Sequence, residues 1–205
     1  SRNDLVSTTQ RLFVKNKISE IEDLLKKMGE TLCSISEKYI DVIIPGFTHL
    51  QSGAPTTFAH MFLAHAHAIR RDLKKIQYTK NMCVESLPLG AAAFSGTHLK
   101  IDFESLAKKL GFRNPCQNSY DSVGDRDFIL ESLNTFSSVA VHLSRLSNEI
   151  IFLASTPVAL IKLPVNWSTG SSIMPNKRNP DVLEIGRAKM NRVISSANEA
   201  ASIVS

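Results

Sequence analysis

Apolar residues recur at three- and four-residue spacing along most of the chain, and this spacing is typical of amphipathic α-helices. Three long segments carry the pattern, at about residues 5–43, 55–87 and 122–154. Shorter segments with the same pattern cover residues 103–110 and the residues that follow Pro180. No segment alternates apolar and polar residues with a period of two, so the sequence predicts helices and no strands.

Proline and glycine residues mark the ends of these segments. Pro45 and Gly46 interrupt the first pattern, whereas Pro55 is favourable in the first turn of the second predicted helix. Pro88 stops that second helix, and Gly111 suits the C-cap of the short third one. The sequence therefore predicts long helices that are separated by well-marked breaks.

The length of the predicted helices determines the expected architecture. A helix of about 30 residues spans roughly 45 Å, which is much longer than the usual three or four turns. Such helices predict an all-α protein built as an elongated bundle of long antiparallel helices. Apolar residues on more than one helix face are commonly buried against other subunits, so the pattern also indicates an oligomer.

Composition and charge exclude several classes of protein. Of the 205 residues, 43% are apolar and 21% are charged, which is ordinary for a soluble globular protein. The net charge of +5 comes from dispersed pairs of lysine and arginine, so we expect no nucleic-acid partner. No apolar run reaches membrane-spanning length and no signal sequence precedes the first residue, so we expect a cytoplasmic protein with no membrane partner.

Other residues that could bind metal or form disulfides receive structural interpretations. Three cysteines are widely separated and lack metal-ligand spacing, which indicates reduced thiols: Cys33, Cys83 and Cys116. Three histidines on the second predicted helix lack the spacing of a helical zinc site, so we expect no metal there: His60, His65 and His67. Three aspartates surround the start of the third long helix, where capping explains them: Asp121, Asp125 and Asp127.

The most informative segment is the loop at residues 170–180, which reads GSSIMPNKRNP. Small residues let a backbone move and approach a ligand closely. Hydroxyl, ammonium and amide groups bind and protonate carboxylates. The loop differs from a phosphate-binding loop because no glycine precedes Lys177 and no serine or threonine follows it. It is typical of a mobile anion-binding loop that carries a nucleophile or base.

Three segments in order give a resemblance to a known family. The loop at 170–180, the segment SRND at 1–4 and the segment GFTHLQ at 46–51 together resemble the fumarase/aspartase superfamily. Within it, the chain is similar to the argininosuccinate lyases in Arg2 and in Asp181 directly after Asn-Pro. A further stretch typical of these lyases leads into the third long helix and reads NSYDSVGDRDF at residues 118–128.

The resemblance implies a fold, an assembly and a reaction. Members of the superfamily form homotetramers around a large central helix bundle, and each active site draws its three motif regions from three subunits. The implied function is a lyase that cleaves argininosuccinate to arginine and fumarate by β-elimination, without metal or organic cofactor. Relatives are longer at both ends, so residues 1–205 are expected to form the central helical domain of a longer chain.

The same resemblance implies four catalytic residues. Ser171 matches the base that removes the Cβ proton, and Lys177 would neutralise the charge that then develops on the carboxylate. His49 matches the second acid–base group, and Glu184 matches the carboxylate partner of that histidine. Ordinary alternatives are a flexible serine, a surface lysine and a structural histidine.

Substrate-binding positions are implied by the motifs in the same way. Five of them offer hydroxyl, amide or guanidinium donors suited to carboxylates: Ser1, Arg2, Asn3, Thr48 and Asn179. Asn179 is also a candidate helix N-cap. Arg126, which lies among the three aspartates, is a further candidate for a substrate carboxylate.

Several positions depart from the argininosuccinate-lyase pattern without removing a proposed catalytic group: Leu5, Ser52, Gly53, Ala54, Lys100 and Gly124. They leave the amine half of the substrate open. One alternative is therefore a related lyase that releases fumarate from another N-substituted aspartate. Another is a non-catalytic helical scaffold that retains the fold.

Overall fold

A computed structural model describes residues 2–204, and six α-helices dominate this part of the chain. The helices are α1 (Asn3–Lys38), α2 (Phe58–Cys83), α3 (Phe103–Leu110), α4 (Ser119–Gly124), α5 (Asp127–Ala154) and α6 (Asp181–Val204). A 3₁₀ turn covers Val165–Trp167. The prediction of a helical protein is confirmed. The prediction that one helix spans residues 122–154 was wrong, because two helices share this region.

Within residues 2–204, six short strands pair two by two, so the prediction of no strands was also wrong. They are β1 (Ile43–Thr48), β2 (Gln51–Thr57), β3 (Ser86–Leu87), β4 (Asn114–Pro115), β5 (Thr169–Gly170) and β6 (Arg178–Asn179). The pairs β1–β2 and β5–β6 are antiparallel, whereas β3–β4 is parallel. Because β2 takes up Pro55, α2 begins at Phe58 instead of at the proline.

The β1–β2 hairpin turns at His49 and Leu50, which follow the last strand pair at its tip, Thr48 with Gln51. Both turn residues have left-handed backbone angles, with φ of 53° and 59°. Two consecutive positive φ values define the tight turn that best matches strand twist, and Asn-Gly usually supplies them. Neither residue gives that signal, and prolines demote both strands, which explains why the pattern did not predict the hairpin.

Asp125 separates α4 from α5. Its backbone has an extended ψ of 130°, and its Oδ1 accepts a hydrogen bond of 2.7 Å from the N–H of Asp127. The side chain of Asn118 caps the start of α4 by accepting from the N–H groups of Tyr120 and Asp121. Asp125 thus ends α4 as its C-cap residue and accepts a hydrogen bond from the first N–H of α5, so a new helix begins inside the predicted long one.

The described residues form two compact units, which are considered separately. The first contains residues up to Lys26, residues 72–135 and the chain from Ala200. Its interior holds large side chains that are at most 1% exposed, namely Ile18, Ile76, Leu87 and Phe128. The C-cap predicted at Gly111 is confirmed, because this residue ends α3 with a left-handed φ of 78°.

The second unit contains residues 27–71 and 136–199. Its interior includes Leu32, Ile44, Phe62, Ile69 and Leu153, which are at most 6% exposed. Aromatic rings fix the hairpin in this unit, because Phe47 of β1 packs edge-on against Phe152 of α5 with centroids 4.9 Å apart. This packing holds the hairpin that carries Thr48 and His49.

Titratable groups in the first unit have structural surroundings. Glu22 receives hydrogen bonds from Lys26 and Lys80 at 2.6 and 2.7 Å, which lower the pKa of its carboxyl. Burial raises the pKa of the Cys83 thiol to about 11, so this cysteine is a poor nucleophile at neutral pH. All three cysteines are free thiols, as the sequence predicted.

Candidate active site

The loop at residues 170–180 is closed at its base by β5 and β6. Thr169 pairs with Asn179 and Gly170 pairs with Arg178 in a two-residue antiparallel ladder. The hydroxyl of Thr169 also donates a hydrogen bond to the carboxylate of Asp181, the first residue of α6. The ends of the loop are thus tied together, while most of its residues are exposed.

Ser171 lies just inside this base and is half-buried. Its Oγ accepts hydrogen bonds from the N–H groups of Ile173 and Met174, at 3.3 and 3.1 Å. Hydrogen bonds to an oxygen favour its charged form. Two backbone donors aimed at one hydroxyl oxygen therefore provide the kind of environment that a serine base requires.

The remaining candidates of this region lie after the serine. Lys177 is exposed, and its side chain forms no ion pair with any residue in the described range 2–204. Asn179 is half-buried in β6, and Glu184 is exposed in the first turn of α6. Lys177 and Glu184 are thus both free to meet other groups.

Thr48 and His49 lie together at the tip of the hairpin, where both are exposed. His49 borders a cavity of about 570 Å³. The cavity walls come from the hairpin, α2 and α5, and include His60, Arg145 and Glu149. The walls do not include Ser171, Lys177 or Glu184. Over residues 2–204, no hydrogen bond or ion pair joins His49 to Glu184.

The N-terminal motif has one residue whose role the sequence did not reveal. Asp4 is buried, and its Oδ2 accepts hydrogen bonds of 3.0 Å from the N–H groups of both Gly90 and Ala92. Arg2 and Asn3 are exposed, whereas Ser1 lies outside the described residues. Asp4 therefore anchors the glycine-containing loop that follows β3, next to the two candidate substrate-binding residues.

Arg126 follows α4 and is half-buried. Its Nη1 donates to the carbonyl oxygens of Val123, Gly124 and Asp125, at 3.0, 3.3 and 2.7 Å. These bonds satisfy carbonyls at the end of α4. They use one nitrogen of the guanidinium, and the role of Arg126 in substrate binding stays a prediction.

Arg11 is a second arginine in this area and was not singled out from the sequence. It is 4% exposed and forms an ion pair with Asp125. Its guanidinium lies 4.4 Å from the ring centroid of Phe128 and also donates to the carbonyl of Met82 at 3.2 Å. Buried charges are normally paired in this way, so Arg11 holds the α4–α5 junction.

One of the α2 histidines, His65, has a similarly structural explanation. His65 lies 2.6 Å from Glu149 of α5, and only 13% of its side chain is exposed. Within residues 2–204, no group of three His, Cys, Asp or Glu side chains has the arrangement of a metal site. No helix in this range is long and apolar enough to cross a membrane.

Comparisons with known proteins identify the family. A model of a family described as lyase matches residues 1–195. The argininosuccinate lyase of Paracidovorax citrulli (strain AAC00-1) is 44% identical over 95% of this chain and 40% of its own length. That of Caldicellulosiruptor bescii is 44% identical over 94% of this chain and 42% of its own length. A crystal structure of EDDS lyase in complex with formate matches with a TM-score of 0.90 at 26% identity, covering 95% of this chain and 39% of that chain.

The chain therefore belongs to the lyase family. Its fold is that of the fumarase/aspartase superfamily, as the three motifs predicted, and its similarity to argininosuccinate lyases is also confirmed. The chain spans about two fifths of the length of the curated relatives it matches.

Proposed function

We propose that the intact protein cleaves argininosuccinate to arginine and fumarate by β-elimination, as a cytoplasmic enzyme. The 44% identity to argininosuccinate lyases supports this choice of substrate. The structural observation that carries the proposal is the pair of backbone N–H groups directed at Ser171 Oγ. We include no metal or organic cofactor in the reaction.

The proposed reaction begins when the Ser171 alkoxide removes a proton from the succinyl Cβ. The two N–H groups stabilise the alkoxide before this step, because hydrogen bonds to the charged form lower the pKa of an acid. Lys177 and Asn179 then stabilise the doubly charged aci-carboxylate that forms. The electron pair that was left when the Cβ proton was removed forms the Cα–Cβ double bond as the Cα–N bond breaks. His49 gives a proton to the departing nitrogen.

We further propose that each active site is completed by other subunits of a homotetramer. His49 borders a cavity that the loop at 170–180 does not line. Arg2, Asn3 and Arg126 belong to one compact unit, whereas His49 and Ser171 belong to the other. Sites assembled from several chains would supply Glu184 as the partner of His49 although the two are not joined within one chain.

The reaction can be tested by adding argininosuccinate to the intact protein and following fumarate by ultraviolet absorbance. We expect turnover in the wild type and a loss of kcat of about 10²–10⁴-fold in Ser171→Ala, with little change in KM. Ser172→Ala is the matched control and should retain activity. Turnover only with another N-substituted aspartate would replace the proposed substrate, and turnover with none would favour a non-catalytic scaffold.

Sharing of sites can be tested with two inactive variants, His49→Asn and Ser171→Ala. The intact proteins are mixed, dissociated and reassembled, and mixed tetramers are verified by mass spectrometry. Shared sites predict that activity returns, since some sites then contain neither substitution. If mixed tetramers form without any return of activity, all catalytic groups of a site come from one chain.

A further inference from the structure

We propose that Thr169 and Asp181 form a latch that fixes the base of the loop at 170–180 and thereby positions Ser171. The inference rests on the proposed role of Ser171 as the base. Thr169 precedes that serine by two residues, and Asp181 follows Asn179 by two. Thr169 and Asp181 are therefore positioning residues, which act through the loop they enclose and do not themselves react.

The strand pairing alone is a weak closure. The ladder between β5 and β6 contains only two residue pairs, and short two-stranded ribbons are marginally stable in water. The hydrogen bond from Thr169 Oγ1 to Asp181 Oδ2 adds a side-chain contact across twelve residues. This bond joins the residue before the loop directly to α6, the helix that begins just after the loop.

Asp181 is a suitable anchor for three reasons. It is the first residue of α6, which runs for 24 residues, so its backbone belongs to a long, regular element. A carboxylate in the first turn is also favoured by the partial positive charge at the helix N terminus. Hydrogen bonds to an ionised acceptor are stronger than those between neutral groups. One side chain thus links the exposed loop to an ordered helix end.

The local hydrogen bonds of the loop explain why the pairing of its two ends should influence the chemistry of Ser171. The N–H groups that reach Ser171 Oγ belong to Ile173 and Met174, inside the enclosed segment. The N–H of Lys177 donates to the Met174 carbonyl at 3.1 Å, so the serine, its donors and the lysine form one connected turn. If the ends of the loop separate, this turn loses its orientation toward the substrate. Precise orientation of reacting groups contributes strongly to rate.

The test compares single variants of the intact protein and one double variant, Thr169→Val with Asp181→Ala. Thr169→Val removes the hydroxyl while keeping the shape of the side chain, and Thr169→Ser retains the hydroxyl. Ser168→Ala is the matched control, because within residues 2–204 the Ser168 hydroxyl donates to the carbonyls of Pro164 and Val165, at 3.4 and 3.2 Å, and takes no part in the contact between Thr169 and Asp181. Circular dichroism verifies the fold, and two readouts are recorded for each variant.

The first readout is hydrogen–deuterium exchange of a peptide that contains residues 170–180. We expect exchange to accelerate by roughly tenfold in Thr169→Val, as for the loss of one hydrogen bond to a charged group, and to stay unchanged in Ser168→Ala. Thr169→Ser should restore slow exchange. Unchanged exchange in Thr169→Val would overturn the latch, and this outcome does not depend on which reaction the enzyme catalyses.

The second readout is steady-state kinetics with argininosuccinate. We expect Thr169→Val to lower kcat by about tenfold with little change in KM, and Asp181→Ala to add no further loss in the double variant. Faster exchange with an unchanged kcat would show that the latch does not position the catalytic base, Ser171. If Ser171→Ala retains wild-type turnover, the proposed base is wrong, while the exchange experiment still decides whether the latch exists.

Discussion

Two loops in this protein each contain a side-chain oxygen that accepts hydrogen bonds from two backbone N–H groups. In the loop after β3, Oδ2 of Asp4 accepts from Gly90 and Ala92. In the loop at 170–180, Oγ of Ser171 accepts from Ile173 and Met174. The hydrogen-bond geometry is similar, but the settings differ in sequence separation, charge and burial.

The loop after β3 is fixed by distant parts of the chain. Asp4 is a buried carboxylate that lies 86 and 88 residues from its two donors. Gly90 has a φ of 108°, and a Cβ there would lie 2.2 Å from a ring carbon of Phe103. The carboxylate thus fixes the loop from a distant part of the chain, and the absence of a Cβ at Gly90 allows the close approach to Phe103, so this loop is a structural element.

Within residues 2–204, the hydrogen bonds that order the loop at 170–180 are local. The donors to Ser171 are two and three residues away in an exposed segment. A Cβ at Gly170 would come no closer than 3.9 Å to the Arg178 side chain. The comparison indicates that the same hydrogen-bond arrangement holds a fold when it is long-range and buried. At Ser171 the arrangement is local and lies in an exposed segment, and the proposed role of this serine as a catalytic base makes use of that accessibility.

The largest expected effect on stability comes from Gly90→Ala. The added Cβ would overpack against Phe103 and impose a left-handed φ on alanine, at a combined cost of about 4 kcal/mol. Urea unfolding of the intact protein, followed by circular dichroism, measures this loss. Gly96→Ala is the control. Gly96 also has a left-handed φ, of 76°, but a Cβ there would meet no atom of residues 2–204 within 4 Å beyond its chain neighbours, so this substitution should cost only about 1 kcal/mol. Equal losses at the two glycines would show that Phe103 does not constrain the loop.

Asp4→Ala should follow, with a loss of about 3 kcal/mol in the free energy of unfolding, because it removes the acceptor of the part-buried N–H groups of Gly90 and Ala92. Asp4→Asn keeps one acceptor oxygen and should lose roughly half as much. The same unfolding experiment measures both. If Asp4→Ala lowered the free energy of unfolding by less than Asp4→Asn does, the role of this side chain as an acceptor would be contradicted.

Leu50→Gly should increase stability by up to about 1 kcal/mol, because glycine adopts the left-handed conformation without steric cost. The Leu50 side chain is 74% exposed, so its removal loses little apolar burial. Leu50→Ala still carries a Cβ at a φ of 59° and should give no such gain. A gain in the alanine variant would mean that side-chain exposure, and not the backbone, causes the effect.

The smallest effect on stability is expected for Ser171→Ala. Its two hydrogen bonds are local and water-accessible, so the free energy of unfolding should change by less than about 0.5 kcal/mol. Urea unfolding beside Asp4→Ala tests the comparison directly. A loss as large as that of Asp4→Ala would make Ser171 a structural residue like Asp4 and weaken its assignment as a base.

Particular residues show how far the sequence alone could lead. The long helices α1, α2, α5 and α6 were predictable because their apolar residues recur at helical spacing over many turns, whereas the six-residue α4 is too short to show such a pattern. The loop at 170–180 was predictable because its unusual residues are contiguous. The bond from Asp4 to Gly90 joins residues 86 positions apart, so no local pattern records it. Asp125 was recognised as a capping candidate, but its ion pair with Arg11 joins residues 114 positions apart, so no local pattern records that contact.

The left-handed backbone at His49 affects how the chemistry of this residue should be measured. At a φ of 53°, most side chains incur a steric cost that asparagine and glycine largely avoid. An alanine scan across the turn would therefore combine altered backbone strain with the loss of an imidazole. Asparagine at position 49 removes the imidazole and tolerates the same backbone. For this position it is the substitution that separates a chemical defect from a conformational one.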